Sequence, residues 1–208
     1  NEIFYSIQGE STYSGQPCIF IRLTYCNLRC TWCDTEYSFH EGNDMTIDEI
    51  LENIQQYNCK LVEITGGEPL LQKECISLLN RLLSDGFKVM LETGGSLSIK
   101  DVPRKVIKII DFKCPYSKMD KKNLWSILDD MAEHDEIKFV IGNREDYEWA
   151  KDKIIEYNLT NKWTVLFSCV FDHLSYNTLA EWILEDALDV RFQVQMHKHI
   201  WHPEAKGV

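Results

Sequence analysis

The sequence lacks the features that mark membrane-spanning, nucleic-acid-binding and low-complexity proteins. No apolar run approaches the roughly 20 residues that a membrane-spanning helix needs. Basic side chains are scarce, at 22 against 33 acidic ones, and the net charge of −11 argues against broad binding to nucleic acid or anionic membranes. Proline is also scarce, at five residues, and no linker or internal repeat divides the chain. We therefore expect one domain over residues 1–208.

The eight cysteines that are present do not resemble a disulfide framework. Three lie within eight residues of one another and the other five are scattered. No basic segment followed by an apolar one indicates a secretory leader, and because the chain opens at Asn1 we expect a few residues to precede it. We therefore predict a reducing, cytoplasmic setting, in which the five scattered cysteines pack as small apolar side chains.

Strand-like and helical patterns alternate along the chain. Apolar, β-branched runs predict strands at 18–24, 60–65, 87–92, 106–111, 136–141, 163–169 and 190–195. Helical spacing predicts helices after a capping box formed by Thr46 and Glu49, and at about 72–84, 121–132, 144–156 and 175–186. The alternation indicates an α/β fold with a parallel sheet, either doubly wound or barrel-like, whose functional loops follow the carboxyl ends of the strands.

A loop without periodicity follows the first predicted strand and contains Cys26, Cys30 and Cys33. Thiolates at spacings of four and three residues, on a loop that folds back on itself, can converge on one soft-metal centre. Structural zinc is one interpretation, because His40 could supply a fourth ligand. A catalytic iron-sulfur cluster held by three cysteines, with one iron left open, is the other.

Two motifs resemble those of the radical S-adenosylmethionine (SAM) superfamily. The segment CNLRCTWC at 26–33 resembles its cluster loop, and TGGEP at 65–69 follows the second predicted strand, where that superfamily carries its methionine-binding loop. The glycines allow a ligand to approach the backbone closely, and carbonyls together with Glu68 can meet an ammonium group. The resemblance implies an incomplete, open, partial TIM-like β/α barrel of about six to seven mainly parallel strands, with its gap covered by the terminal segments.

Further segments resemble one family of this superfamily, whose members convert 6-carboxy-5,6,7,8-tetrahydropterin to 7-carboxy-7-deazaguanine in queuosine biosynthesis. These segments are EIFYSIQGES, CDTEYS, DFKCP and QMHKHIW with the terminal Gly-Val, together with Arg22. The resemblance implies removal of a hydrogen atom from C6 of the pterin, ring contraction and loss of ammonia. It also implies a [4Fe-4S] cluster, SAM and Mg²⁺ as cofactors, a flavodoxin or ferredoxin as electron donor, and a homodimer with no nucleic-acid or membrane partner.

The same resemblance assigns roles to individual residues. The cluster would be bound by Cys26, Cys30 and Cys33, and Mg²⁺ would be held by Thr35. Contacts to SAM would come from Trp32, Cys33, Asp34, Gly67, Glu68, Ser117, Lys118 and Met119. Contacts to the substrate would come from Ile7, Gln8, Gly9, Glu10, Arg22, Thr65, Gln195 and His197. Glu10, Arg22 and the three cysteines are the expected catalytic residues, and Arg22 would face the substrate carboxylate, which its planar fork suits.

Two alternatives remain open. An enzyme of the same superfamily that generates a glycyl radical in a partner protein would share the three cysteines and TGGEP, but it has no reason to carry Arg22 and QMHKHIW. A zinc-stabilised binding module would use the cysteines only as structural ligands.

Overall fold

A single sheet of eight strands organises the chain, whose structure is a computed structural model describing residues 1–208. The strands are β1 (Glu2–Ile7), β2 (Pro17–Leu23), β3 (Leu61–Gly66), β4 (Lys88–Thr93), β5 (Ile107–Phe112), β6 (Glu136–Ile141), β7 (Thr164–Cys169) and β8 (Arg191–Phe192). They lie in chain order, with β1 antiparallel to β2 and all other neighbours parallel. Because β1 and β8 do not pair, the sheet stays open, as the family resemblance implied.

Five α-helices and several 3₁₀ turns connect the strands. The helices are α1 (Ile47–Ile54), α2 (Cys75–Ser84), α3 (Arg144–Tyr157), α4 (Tyr176–Glu185) and α5 (His197–Ile200). The 3₁₀ turns are Glu36–Phe39, Pro69–Leu71, Pro115–Ser117, Asp120–Lys122 and Trp125–Asp129. The longest helix has 14 residues, and none of the five is both long and apolar enough to cross a lipid bilayer.

Alternation along the strands gives the two faces of the sheet different environments. In β2 and β3, Ile19, Ile21, Val62 and Ile64 join one large apolar cluster with helix residues such as Leu79. The side chains between them point to the other, inner face, because successive strand residues alternate between faces. Near the amino ends of the strands this inner face is apolar, with a second, smaller cluster of Phe4, Cys18, Phe20, Leu61, Met90, Ile107 and Ile109. Towards the carboxyl ends it becomes polar and charged, and the functional residues lie there.

The two edges of the sheet differ from the sequence prediction of six to seven strands. The first strand, β1, was not predicted, because only one of its faces is buried: Phe4 and Ser6 are buried whereas Tyr5 between them is exposed. At the other edge, the strand predicted at 190–195 has only two residues in the sheet, Arg191 and Phe192.

The helix predicted at 121–132 is wrong, since the segment forms two 3₁₀ turns instead. The Asn123 side chain bonds both the backbone N–H and the carbonyl of Lys113, at 2.9 Å each. Trp125 stacks on Phe112 and on Tyr157, with ring centroids 4.4 and 4.6 Å apart. These tertiary contacts fix the segment against β5 and α3 and override its helical spacing.

The capping box predicted at α1 is confirmed. Thr46 Oγ1 accepts a hydrogen bond from the Glu49 backbone N–H at 3.2 Å, and the Glu49 carboxylate accepts one from the Thr46 backbone N–H at 2.7 Å. Both free N–H groups at the start of the helix are thereby satisfied.

Replacing Thr46 with Ala should lower the free energy of unfolding by about 1 kcal/mol, because one amide at the helix start loses its acceptor. Thr46→Ser keeps the hydroxyl and should lose much less. Urea denaturation of the three proteins measures the difference, and an equal loss in both variants would contradict a capping role.

Candidate active site

A cavity of about 990 Å³ opens at the carboxyl ends of the strands, on the inner face of the sheet. Its wall includes the loop after β1, the loop after β2, the ends of β3 to β6 and the C-terminal segment from Gln195 onward. The Met196 N–H donates to the Gly9 carbonyl at 3.0 Å, which fixes the C-terminal segment to the loop after β1. Residues from both ends of the chain therefore help to enclose the cavity, as the resemblance implied.

The loop after β2 brings Cys26, Cys30 and Cys33 to the cavity wall, where all three are half-buried. The Leu28 N–H donates to Cys26 Sγ at 3.3 Å, a contact typical of iron-sulfur ligation. Burial raises the pKa of Cys26 and raises that of Cys30 to about 11, so metal binding must release their protons. Three accessible thiols around one wall fit a cluster that leaves one iron open to a further ligand.

The zinc alternative lacks the fourth ligand that the sequence suggested. No group of three or more His, Cys, Asp and Glu side chains, the three cysteines included, converges on a single metal ion, so this arrangement does not distinguish zinc from a cluster of several irons. His40, which the sequence suggested as a fourth ligand, is exposed and packs its ring edge-on to Phe39.

The TGGEP turn packs directly behind the cysteine loop. Gly67 lies on the cavity wall, and a Cβ there would overlap the Tyr25 carbonyl oxygen and lie 2.8 Å from Cys26 Cβ. Only glycine lets the two loops approach this closely. Glu68, by contrast, is fully buried, and burial raises the pKa of its carboxyl group.

Both oxygens of Glu68 accept hydrogen bonds from the protein itself. The donors are the N–H of Leu70 at 3.1 Å, the hydroxyl of Thr93 at 2.8 Å and the N–H of Gly94 at 2.8 Å. Glu68 therefore ties the turn after β3 to the end of β4 and does not lie on the cavity wall. Thr65, Gly66 and Gly67 are the residues of this motif that lie on the cavity wall.

Two buried polar atoms on the cavity wall have no protein partner. They are the indole N–H of Trp32 and Oδ1 of Asp111, a donor and an acceptor. An unpaired polar atom in a buried position is costly unless a ligand or water satisfies it. Both lie beside the cysteine loop, since Lys113 contacts the Asp111 carboxylate at 2.9 Å and lies 5.4 Å from the Trp32 ring centre. This wall therefore suits a polar ligand next to the cluster, as SAM would be.

The segment that contains Ser117, Lys118 and Met119 supports the cysteine loop from behind rather than lining the cavity. The Thr31 N–H donates to the Ser117 carbonyl at 3.2 Å. The Ser117 hydroxyl is buried and donates to the Cys114 carbonyl at 2.6 Å, while Lys118 is exposed and adopts a left-handed backbone conformation. The structure thus brings this segment to the site but turns its side chains elsewhere.

The other predicted SAM and Mg²⁺ residues lie on the cavity wall. Asp34 pairs with Lys198 at 2.7 Å, which links the cysteine loop to α5. Thr35 Oγ1 lies 3.8 Å from Cys33 Sγ. It supplies one oxygen, so a Mg²⁺ ion there would depend on water and on oxygens of the substrate.

All eight predicted substrate residues lie on the cavity wall: Ile7, Gln8, Gly9, Glu10, Arg22, Thr65, Gln195 and His197. The Arg22 Nε donates to Glu2 Oε1 at 2.7 Å, and this is the guanidinium's only protein hydrogen bond. Thr65 is its neighbour across the β2–β3 ladder. Arg22 is therefore held in place while its two terminal nitrogens remain available for an anionic group.

Gln8 and His197 organise this part of the wall through contacts with their neighbours. The backbone of Gln8 forms hydrogen bonds within the turn between β1 and β2. Its side chain contacts Glu63 and accepts a hydrogen bond from the Glu10 N–H. The His197 ring lies so close to Gly9 that a Cβ there would overlap it. Burial lowers the pKa of His197, although Glu10 opposes this shift.

Sequence analysis missed a group of charged side chains at the base of the cavity. They are Glu63 in β3, Glu92 in β4, Asp111 in β5, Lys113 after it, and Lys138 in β6. Four of these lie at inward positions of otherwise apolar strands, one to a strand. The sequence did contain a signal for this group, because a charged residue recurs within the largely apolar pattern of each of these four strands.

Replacing Gly67 with Ala should displace the cysteine loop. We expect a reduced iron content after anaerobic reconstitution and an affinity for SAM about tenfold lower, equivalent to roughly 1.4 kcal/mol. Gly86→Ala is the matched control, because Gly86 follows α2 with open space around it and a φ of +79°. That control should lose about 1 kcal/mol of stability from backbone strain but keep its iron. Normal iron and SAM binding in Gly67→Ala would contradict the close-packing argument.

Comparisons with known proteins agree with this geometry. The radical SAM superfamily matches residues 20–184. The 7-carboxy-7-deazaguanine synthase of Koribacter versatilis is 48% identical and covers 100% of this chain and 98% of its own length. The enzyme of the same name from Chlorobaculum tepidum is 44% identical over 100% of this chain and 96% of its own.

The fold comparison points the same way. The crystal structure of QueE from Escherichia coli superposes with a TM-score of 0.78, covering 95% of this chain and 93% of that one at 24% identity. This match confirms the incomplete barrel. The full-length identities go further: the chain belongs to the 7-carboxy-7-deazaguanine synthase family of the radical SAM superfamily.

Proposed function

We propose that this chain converts 6-carboxy-5,6,7,8-tetrahydropterin to 7-carboxy-7-deazaguanine. The observation that carries the proposal is one cavity that unites the three cysteines with Arg22 and residues 7–10, in a chain 48% identical to a synthase of that name. At about 990 Å³ the cavity lies at the upper end of the roughly 300–1,000 Å³ range of small-molecule sites, so it has room for a pterin beside SAM.

Arg22 and Glu10 supply the charges that orient the substrate. Glu2 holds the Arg22 side chain by its Nε, so the two terminal nitrogens can form a bidentate pair with the substrate carboxylate. Glu10 accepts a hydrogen bond from Gln195 at 2.7 Å and is paired with Lys138, so it presents a fixed acceptor to the N–H groups of the substrate. Opposite charges at two points fix one orientation of an asymmetric ring.

Cys26, Cys30 and Cys33 would hold the [4Fe-4S] cluster, and Gly67, Trp32 and Asp34 would contact SAM. When bound together, the cluster and SAM supply the radical chemistry that removes a hydrogen atom from carbon. The protein keeps that chemistry close to the substrate, because Arg22 near the carboxyl end of β2 and the cysteine loop that follows β2 line the same cavity. Holding the reacting groups in fixed positions accounts for much of such a rate enhancement.

Ser117, Lys118 and Met119 act in this scheme through the backbone of their segment, which supports the SAM side of the cysteine loop. Thr35 would hold Mg²⁺ with the help of the substrate carboxylate, so the ion and the substrate would bind together. Glu68, buried behind Gly67, would position the methionine-binding turn.

The C-terminal segment favours a small-molecule substrate over a protein one. Lys198 pairs with Asp34 and the Met196 N–H with the Gly9 carbonyl, so the segment lies across the cavity. A glycyl-radical activating enzyme must admit a loop of a partner protein, and a segment bound across the cavity leaves less room for such a loop. The partly covered cavity therefore favours the synthase over its rival.

The remaining assignments rest on family resemblance and composition. A flavodoxin or ferredoxin would deliver the electron, and the chain would form a homodimer. All eight cysteines are free, which suits a reducing compartment, and we infer a cytoplasmic location.

Anaerobic reconstitution with iron and sulfide, followed by addition of SAM, Mg²⁺, a chemical reductant and the carboxypterin, tests the function. We expect visible iron-sulfur absorption and formation of 7-carboxy-7-deazaguanine. Cys30→Ala should lose both, whereas Cys59→Ala, a half-buried cysteine outside the cavity, should keep both. Cleavage of SAM without any deazaguanine would support the activating enzyme, and absence of a cluster would support the zinc module.

Arg22→Ala should raise the KM for the carboxypterin roughly ten- to hundredfold, as expected for lost charge-assisted hydrogen bonds of about 1.5–3 kcal/mol. The affinity for SAM should change little. Glu2→Gln is the matched control, because it alters the partner of Arg22 but leaves the guanidinium in the cavity. Steady-state kinetics and equilibrium SAM binding measure both effects, and an equal loss of pterin and SAM binding would exclude the carboxylate role.

A further inference from the structure

Lys138 is a buried lysine at the base of the cavity to which neither the sequence nor the family resemblance assigned a role. It lies on the inner face of β6, and its side chain is only 6% exposed. An ammonium group in such a position is costly unless it is paired and hydrogen-bonded.

The Lys138 ammonium meets carboxylates from three different elements. It forms ion pairs with Glu10 of the loop after β1, with Glu92 of β4 at 2.8 Å, and with Asp111 of β5 at 3.8 Å. Asp111 has a second cation, Lys113 at 2.9 Å. Glu10 and Glu92 have no other basic partner within ion-pair distance, so Lys138 is the one cation that both carboxylates share.

The carboxyl groups near Lys138 differ in the direction in which their pKa values are shifted. Burial acts to raise the pKa of Glu10, but the Lys138 ammonium, with smaller contributions from His197 and Gln195, outweighs it and holds that pKa below its ordinary value. Glu63 lies one contact further away, bonded to Gln8, and burial together with Glu92 and Glu10 holds its pKa well above the ordinary value. The base of the cavity thus favours ionisation of Glu10 over ionisation of Glu63.

We propose that Lys138 is a positioning residue for the reaction: its ammonium fixes the Glu10 carboxylate against Gln195 as an acceptor for the N–H groups of the substrate. The contact with Lys138 occupies one oxygen of Glu10 and the contact with Gln195 occupies the other, so the carboxylate plane cannot rotate freely. The substrate part of this inference rests on the proposed function, whereas the pairing of Lys138 with Glu10 does not.

Removing the ammonium should change the charge of Glu10. The charged or titratable groups that interact with Glu10 are Lys138 of β6, Glu63 of β3, Tyr176 of α4 and His197 of α5, and the carboxylates of Glu92 in β4 and Asp111 in β5 share its partner Lys138. Without Lys138, burial and the neighbouring carboxylates all act to raise the pKa of Glu10. Binding that needs the ionised form is then lost at any pH below the raised pKa, so the acidic limb of kcat/KM moves to higher pH.

Kinetics of Lys138→Met and Lys138→Arg test the positioning role. We expect Lys138→Met to raise the KM for the carboxypterin by about tenfold near neutral pH and to shift the acidic limb upward by about one unit or more, while Lys138→Arg keeps the wild-type limb. In a Glu10→Gln background, Lys138→Met should change KM by less than about twofold, because the two residues act as one unit. Additive effects, or an unshifted limb in Lys138→Met, would overturn the proposal.

A titration of the protein without cluster or substrate separates this inference from the proposed function. With glutamate labelled at its carboxyl carbon, and Glu10→Gln used for assignment, the NMR signal of Glu10 should titrate below its ordinary pKa in the wild type and above it in Lys138→Met. An identical titration in both proteins would overturn the inference whatever the enzyme's reaction.

Lys108→Met is the matched control, because Lys108 is also a buried lysine, 1% exposed and paired with Asp135 at 2.9 Å, but lies away from the cavity. It should lower the melting temperature and leave the acidic limb in place. If Lys138→Met does not fold, Lys138→Met/Glu92→Gln removes one charge of each sign and should show the same shift of the Glu10 titration.

Discussion

Charge pairing at the base of the cavity, on the inner face of the sheet, is the constraint on which the rest of the structure depends. Lys138, Glu10, Glu92 and Asp111 come from four separate elements and satisfy one another only when these elements are in register. Removing one partner of such a group leaves an uncompensated charge at a cost of about 3–5 kcal/mol. A slip of one residue in β6 would turn Lys138 to the outer face, among the apolar residues under the helices. The network that shapes the cavity therefore also specifies the strand register.

The sequence predicted those parts of the site that lie close together in the chain. Cys26, Cys30 and Cys33 share one loop, so their spacing indicated a soft-metal centre, and with TGGEP after the next strand the resemblance to the radical SAM superfamily implied a [4Fe-4S] cluster and SAM. The charged group around Lys138 could not be predicted in this way, because its members lie in strands far apart in sequence and each alone resembles a solvated position. The same limit explains β1 and residues 121–132: their conformation is decided by partners such as β2, Phe112 and Tyr157 that local patterns do not contain.

Several polar side chains of the site are hydrogen-bonded within the protein. Both oxygens of Glu68 are used within the fold, the Ser117 hydroxyl donates to a backbone carbonyl, and the Gln8 amide joins Glu63 to the backbone of Glu10. They fix the positions of Gly67, the cysteine loop and Glu10. A motif can thus be characteristic of one reaction for two reasons. Some of its residues contact ligands, and others position the residues that do.

The apolar cluster on the inner face has a consequence for how ligands are exchanged. Phe4, Phe20, Met90 and their neighbours fill the amino-terminal end of the sheet, directly below the charged layer. The cavity is therefore closed at its base by apolar side chains and does not continue through the fold. Substrate and product therefore cannot cross the amino-terminal end of the sheet and must use the same side of the molecule, so a product that dissociates slowly delays the entry of the next substrate.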